Sequence, residues 1–208
     1  YTSGTTIASS AANGLYQFRA VDKAGNISAT RLVTKDTTKP SGTIYGENTA
    51  VASGGSTKAS YIRFTASDAN SGVNKIYVKK PNTSAYTTYT EGTQFTVNGT
   101  YSFYCTDKAG NTSATYTATL DNTAPVLSCS QTTFYETTAY DFTVRATDAT
   151  STVTLYYKTP LMTEYAAASN GSYSVVTTDS DGRYYFYAQD AVGNRTETKW
   201  VELKVAIP

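Results

Sequence analysis

The sequence has no histidine, a single tryptophan, a single methionine, two cysteines and five prolines in 208 residues. Without histidine the usual neutral-pH general base is missing. No serine or cysteine sits in a recognisable nucleophile turn, no glycine-rich phosphate loop follows a strand, and no pair of carboxylates is spaced like a glycosidase dyad. Enzymatic activity is therefore not expected. Charge of either sign is also scarce: 17 Lys and Arg stand against 16 Asp and Glu, for a net +1, with no basic cluster. That balance argues against a nucleic-acid surface. No apolar run approaches the roughly 18 residues that a spanning helix needs, so no membrane insertion is expected of this stretch. Two cysteines could form one disulfide, a pairing that the repeat itself decides.

What is abundant is Thr, Ser and tyrosine, 19 residues of the last, and the tyrosines fall in a repeat. Residues 101–111 read Tyr-Ser-Phe-Tyr-Cys-Thr-Asp-Lys-Ala-Gly-Asn. Residues 16–26 and 184–194 are versions of the same string, and a glycine (Gly14, Gly99, Gly182) stands just before each. From Asp22 to Asp107 is 85 residues, and from Asp107 to Asp190 is 83; Pro40, Pro125 and Pro208 keep the same spacing. A fixed long period means an array of similar units. The boundaries fall at Asp36–Pro40 and Asp121–Pro125. They give a C-terminal remnant of a domain over 1–35, a full domain over 36–120 and another over 121–208. Tyr1 aligns with Tyr86, so the first copy lacks the strands that 36–85 supply in the second. The reading is a fragment cut inside a domain, whose first unit is completed by another chain or leans on the next unit.

Each signature alternates with period two, which marks a strand with one buried face. Tyr101, Phe103 and Cys105 form that face, matching Tyr16, Phe18, Ala20 and Tyr184, Phe186, Ala188. The Ala-Gly-Asn that follows is a turn, because Gly and Asn tolerate positive φ. The middle unit reads as strands at 41–45, 61–68, 73–79, 86–89, 93–97, the signature and 112–120, with a Gly/Ser loop at 52–57. The last unit repeats them at 126–130, 141–148, 153–158, 165–168, 173–177, the signature and 195–204. About seven short strands per unit, with no helical periodicity, give an all-β fold of tandem antiparallel sandwiches. Cys105 and Cys129 then fall in different cores and read as small buried hydrophobes rather than a disulfide.

The Asp-x-Ala-Gly-Asn turn, the Asp-x-Thr-x-Pro linker and Ser67-Asp-Ala-Asn-Ser-Gly-Val73 together resemble the bacterial immunoglobulin-like domains. The last unit departs from that pattern in Asp148-Ala-Thr-Ser-Thr-Val153, which lacks Gly, and at Lys204, where the linker Asp is lost. The resemblance implies Ig-like sandwiches in tandem, extracellular or on a bacterial cell surface, in secreted or adhesin-like proteins. The function it implies is a non-catalytic spacer or stalk presenting a distal module, monomeric, with neighbouring Ig-like domains of the same chain as its first partners. The alternatives are a module that binds a glycan or a host surface protein through exposed Tyr and Trp, or accessory domains of a secreted glycoside hydrolase.

In that topology the start of the first strand, the loop after the second and the loop before the last meet at one end, facing the preceding domain. They carry Asp36, Asp68 and Asp107 with Asn111 in the middle unit, and Asp121, Asp148 and Asp190 with Asn194 in the last. Three converging carboxylates repel unless neutralised. A Ca²⁺ ion with oxygen ligands would neutralise them and clip successive domains. Equally, each Asp or Asn can accept backbone N–H groups and shape its own loop. Trp200 aligns with Leu32 and Thr117, an outward position in the last strand, and is a candidate for contact with a partner or for covering the edge of its own sheet. Asn-x-Ser/Thr sequons at Asn26, Asn82, Asn98, Asn111, Asn170 and Asn194 are frequent in any Ser/Thr-rich chain, and three of them are the repeat turn itself.

Overall fold

The computed structural model describes residues 6–129, 133–135, 142–168, 172–175 and 180–204. The repeat markers Tyr1 and Pro208, the sequon at Asn170 and the expected strand ends at Ser130, Asp141 and residues 176–177 lie outside these. The described residues form strands and no helix. The chain divides into two compact units, Tyr1–Gly55 with Tyr61–Leu120, and Ser56–Ser60 with Asp121–Pro208.

The first unit opens with a hairpin of β1 (Gly14–Phe18) and β2 (Arg31–Lys35), in which Tyr16 faces Val33. The middle repeat follows with β3 (Ser41–Gly46), β4 (Thr49–Val51), β5 (Gly55–Thr57), β6 (Ile62–Ser67), β7 (Val73–Lys79), β8 (Thr87–Tyr89), β9 (Gly99–Asp107) and β10 (Tyr116–Leu120). They make two sheets, β4-β3-β6 and β5-β10-β9-β7-β8. Inward residues of both sheets share one core: Ile44, Ile62 and Phe64 from the first, and Ile76, Val78, Tyr101, Phe103, Cys105, Ala118 and Leu120 from the second. The alternation of β9, with Tyr101, Phe103 and Cys105 buried, is what aims them there.

The last repeat contains β11 (Val126–Ser128), β12 (Thr133–Tyr135), β13 (Phe142–Thr147), β14 (Val153–Lys158), β15 (Ala166–Ala167), β16 (Ser172–Val175), β17 (Gly182–Asp190) and β18 (Lys199–Lys204). Its sheets are β11-β13-β16 and β12-β18-β17-β14-β15, with β12 parallel to β18. The chain thus begins in one sheet and crosses to the other before its second long strand. This is the strand order of an immunoglobulin-like sandwich, three strands against five. Its core holds Leu127, Val144, Leu155, Val175, Tyr184, Phe186, Ala188, Val201 and Leu203.

Several expectations need correction. The segment 93–97 is not a strand in the middle repeat: a turn at Thr90–Thr93 carries the chain away, and only Phe95 pairs, with Ile62. Its counterpart β16 does pair along β13. The expected loop at 52–57 contains β5, whose Gly and Ser hide a strand that joins β10. Among the described residues each full repeat has eight strands: the middle one gains β4 and β5 and loses 93–97, and the last gains β12. The last strand of each sandwich starts at 116 or 199, not 112 or 195, because only one bridge (Thr106–Thr112, Gln189–Arg195) forms directly after the turn. A β-bulge between Val73 and Lys75 gives β7 one residue that β14 lacks. Both cysteines are free thiols, Cys105 buried and Cys129 packed against the other core, and burial pushes both thiol pKa values up.

Candidate functional site

Three tyrosines at equivalent places make the same bond. Tyr16, Tyr101 and Tyr184 donate their hydroxyls to the carbonyls of Ala12 (2.7 Å), Val97 (2.8 Å) and Ser180 (2.6 Å), four residues upstream. This is a tyrosine corner, and it fixes the entry of the central strand.

That strand delivers an Asp to one end of the sandwich. There the turn is built by side chains. Asp107 accepts the Asn111 backbone N–H at 2.8 Å and the Asn111 amide at 2.7 Å. Asp190 and Asn194 repeat both distances, and Asp22 and Asn26 do so at 2.9 and 2.7 Å. The intervening glycines sit at φ +89° to +94°, which is why Gly precedes the Asn. The Asn26 amide is the leading cause holding the Asp22 carboxyl below its ordinary value. The same Asn amide donates a second time, to the carbonyl of the linker aspartate: Asn111 to Asp36 at 3.1 Å and Asn194 to Asp121 at 2.9 Å.

The linker aspartate also holds the loop after the second long strand. Ser71 donates its hydroxyl (2.7 Å) and backbone N–H (3.1 Å) to one oxygen of Asp36, and the Thr38 N–H meets the other at 2.9 Å. The Ser71 hydroxyl, ahead of the backbone donors, holds the Asp36 carboxyl below its ordinary value, while burial pulls the other way. Ser151 makes the equivalent bond to Asp121 at 2.6 Å, so the loss of Gly from this loop leaves the serine contact intact. Asp68 gathers the N–H groups of Asn70, Ser71 and Gly72 on Oδ1, and Asp148 those of Thr150 and Ser151.

The structure therefore brings together both sequence-derived clusters. One carboxylate oxygen from each of Asp36, Asp68 and Asp107 lies within 4.8 Å of the others, and the same holds for Asp121, Asp148 and Asp190. Asp36, Asp107, Asp121 and Asp190 are buried. Two oxygens around one Ca²⁺ lie at most about 5.2 Å apart, given bonds of about 2.3–2.6 Å, so no pair within either trio is too far apart to share an ion. Most of the other oxygens already accept protein N–H or O–H groups. Among the described residues Asp68 Oδ2 is the one buried side-chain oxygen without a hydrogen-bond partner. An orphaned carboxylate oxygen among carboxylates suits a hard cation, which in the middle repeat would be held by oxygens of Asp36, Asp68 and Asp107; in the last repeat Asp121, Asp148 and Asp190 bring carboxylate oxygens equally close, without such an orphan.

Sequence reading passed over the role of the sequon hydroxyls. Ser28, Ser113 and Thr196, the third residues of the Asn26, Asn111 and Asn194 sequons, accept the backbone N–H of Ala20 (2.9 Å), Cys105 (3.0 Å) and Ala188 (3.0 Å). Each hydroxyl supplies a bond the backbone ladder drops after the turn. Repetition of Ser or Thr two residues past the turn is the signal that could have revealed it.

Trp200 projects from the outer face of the five-stranded sheet, opposite Tyr185, with the Arg183 guanidinium 4.3 Å over its ring. The outward tyrosines stack across strands, Tyr77 on Tyr104 and Tyr156 on Tyr187, each pair at 4.7 Å, with Tyr86 and Tyr165 edge-on at 4.9 Å.

No family model matches the sequence, and no curated protein matches it. Among solved structures, the chain is similar to the fibronectin(III)-like modules of Clostridium thermocellum CbhA (14% identity, 79% of this chain and 94% of that one, TM-score 0.31). Murine CEACAM1b gives 13% identity over 73% and 94%, with a TM-score of 0.31. SGBP-B of the Bacteroides ovatus mixed-linkage glucan utilization locus, in complex with a mixed-linkage heptasaccharide, gives 17% identity over 94% of this chain and a TM-score of 0.24; the match spans 55% of that chain.

Proposed function

We propose that these units are non-catalytic spacer modules of a bacterial surface or secreted protein, and that the acidic end of each full repeat takes up a calcium ion. The observation that carries this reading is the doubled latch. In both repeats the linker aspartate is bonded by a loop serine through its carboxylate and by a turn asparagine through its carbonyl, beside two further carboxylates. The point where the chain enters each sandwich is thereby tied to two loops of that same sandwich. Bonds of that kind oppose pulling the first strand away. A cation shared by the three carboxylates adds charge-neutralising ligand bonds to the same latch. The exposed face of the β1–β2 hairpin fits the same account: Val33 is 46% exposed while its counterpart Ala118 is 1% exposed, because the first copy has no second sheet over it.

Pulling the chain in a force spectrometer tests the role. Two discrete unfolding events are expected, each releasing a repeat whose 85 residues extend to about 280–305 Å at ~3.3–3.6 Å per residue, with higher forces in calcium than in EGTA. Gradual extension without discrete events would contradict it.

A further inference from the structure

The two full repeats share one fold, so a side chain that only one of them carries at an equivalent position is not required by that fold. Both repeats carry the stacked tyrosine trio on the outer face of the five-stranded sheet. The last repeat alone extends it. Arg183, Tyr185, Arg195 and Trp200 stand where the middle repeat has Thr100, Ser102, Thr112 and Thr117. Two guanidinium groups stand over rings, Arg183 at 4.3 Å from the Trp200 centroid and Arg195 at 3.6 Å from that of Tyr187. In the middle repeat the Arg183 position is a threonine, bonded to Thr119 across the strands.

We propose that this face binds an anionic oligosaccharide, one whose sugars bear carboxylates as uronic acids do. The charge selects the anion. Among the described residues Arg195 and Lys158 form no ion pair with a carboxylate, and Arg183 and Lys204 share the single Glu202. The Arg195 guanidinium, in no ion pair among the described residues, offers a planar fork of N–H donors matched to a carboxylate. Its contact with the Tyr187 ring holds the fork in place before the ligand arrives, so less side-chain freedom is lost on binding. The aromatic groups select the sugar. Tyr185, paired with Trp200 across the strands and covered by no ring or guanidinium among the described residues, offers apolar surface to pyranose C–H groups, and its hydroxyl and the Trp200 indole N–H are donors for the sugar hydroxyls. The outward run of a sheet presents these groups in a line, as an extended chain of sugars requires. The spacer role is independent of this face and would survive its failure.

The test measures binding of oligogalacturonate and of neutral cello-oligosaccharides of equal length to the whole chain by titration calorimetry. The expected result is a Kd for oligogalacturonate below about 1 mM, weakening as salt rises, with no heat from the neutral sugars. Trp200→Thr and Arg195→Thr install the residues that the middle repeat carries at these positions, and each should weaken binding about tenfold or more while melting as the parent does. Arg195→Lys keeps the charge but loses the fork, and should also weaken binding. No binding to oligogalacturonate, equal binding of neutral sugars, or folded variants that bind as the parent does would each overturn the proposal. So would capture of an acidic protein on this face with the uronate left unbound.

Discussion

Phe103 stands two residues after the corner tyrosine, the place that antibody domains give to a disulfide cysteine. Its partner from the facing sheet is Phe64, with ring centroids 4.8 Å apart and planes within 3°. A flat aromatic stack replaces the inter-sheet bridge, worth about 0.5–1.5 kcal/mol beyond the area buried. Room for it comes from Gly42, where an added Cβ would lie 2.0 Å from the Phe64 ring. The last repeat fills the same space the other way round, with Leu127 at the glycine position and Val144 at that of Phe64. Gly42→Ala should therefore cost about 1–3 kcal/mol by overpacking, read as a lowered denaturation midpoint. Adding Phe64→Val should recover part of that loss, and strictly additive effects would refute the pairing. Period-two alternation in the sequence marked Phe64 and Phe103 as inward. It could not mark Gly42, because the large-for-small exchange runs between residues far apart in the chain. Cys105 illustrates the same limit in reverse: its alignment with Ala20 and Ala188 was enough to read it as a small core residue. The thiol should resist alkylation in the folded protein at mildly alkaline pH and react once the protein is unfolded in denaturant.

At the scale of elements, the turns carry more than the strands. The Asp-Asn pairs were legible because they repeat, and so was their meeting at one end, because a sandwich with this strand order brings those loops together. The serines were not legible. Ser71 and Ser151 look like ordinary loop residues until the linker aspartate is placed beside them. Ser71 gives a pH prediction. The folded Asp36 carboxyl is held below its ordinary value, so its charged form is favoured by folding. The stability it lends is complete above the unfolded carboxyl's pKa of about 3.9 and is lost as the pH falls through the lower folded value. Ser71→Ala should thus lower the melting temperature at pH 7, and the deficit should shrink as the pH is taken down through the folded carboxyl's titration. An equal loss throughout would mean that the hydroxyl acts through packing alone. Ser113→Ala should cost about 1 kcal/mol by leaving the Cys105 N–H unpaired, measured by chemical denaturation. Strand boundaries were the least legible elements. The Gly/Ser segment that becomes β5 has no strand-like composition, and 93–97 has the composition without the pairing, since Gly92 and the turn before it direct only Phe95 to the ladder.

For the whole molecule, repetition separates what builds the fold from what does not. The tyrosine corner, the Asp-Asn turn, the stacked tyrosine trio and the carboxylate trio occur in both full repeats. The Trp200 and Arg183 pair occurs in one. The trio of carboxylates is shared, and in the middle repeat hydrogen bonding leaves it incomplete, since Asp68 Oδ2 is buried and unbonded. A ligand that binds only the folded state stabilises it by RT ln(1 + [L]/Kd), about 2.7 kcal/mol at a hundredfold excess over Kd. The most direct test is the melting curve of the chain in millimolar calcium and in EGTA, for the parent and for Asp68→Asn combined with Asp148→Asn. A melting temperature several degrees higher in calcium for the parent alone is the predicted result. Superimposable curves for the parent in calcium and in EGTA would contradict it.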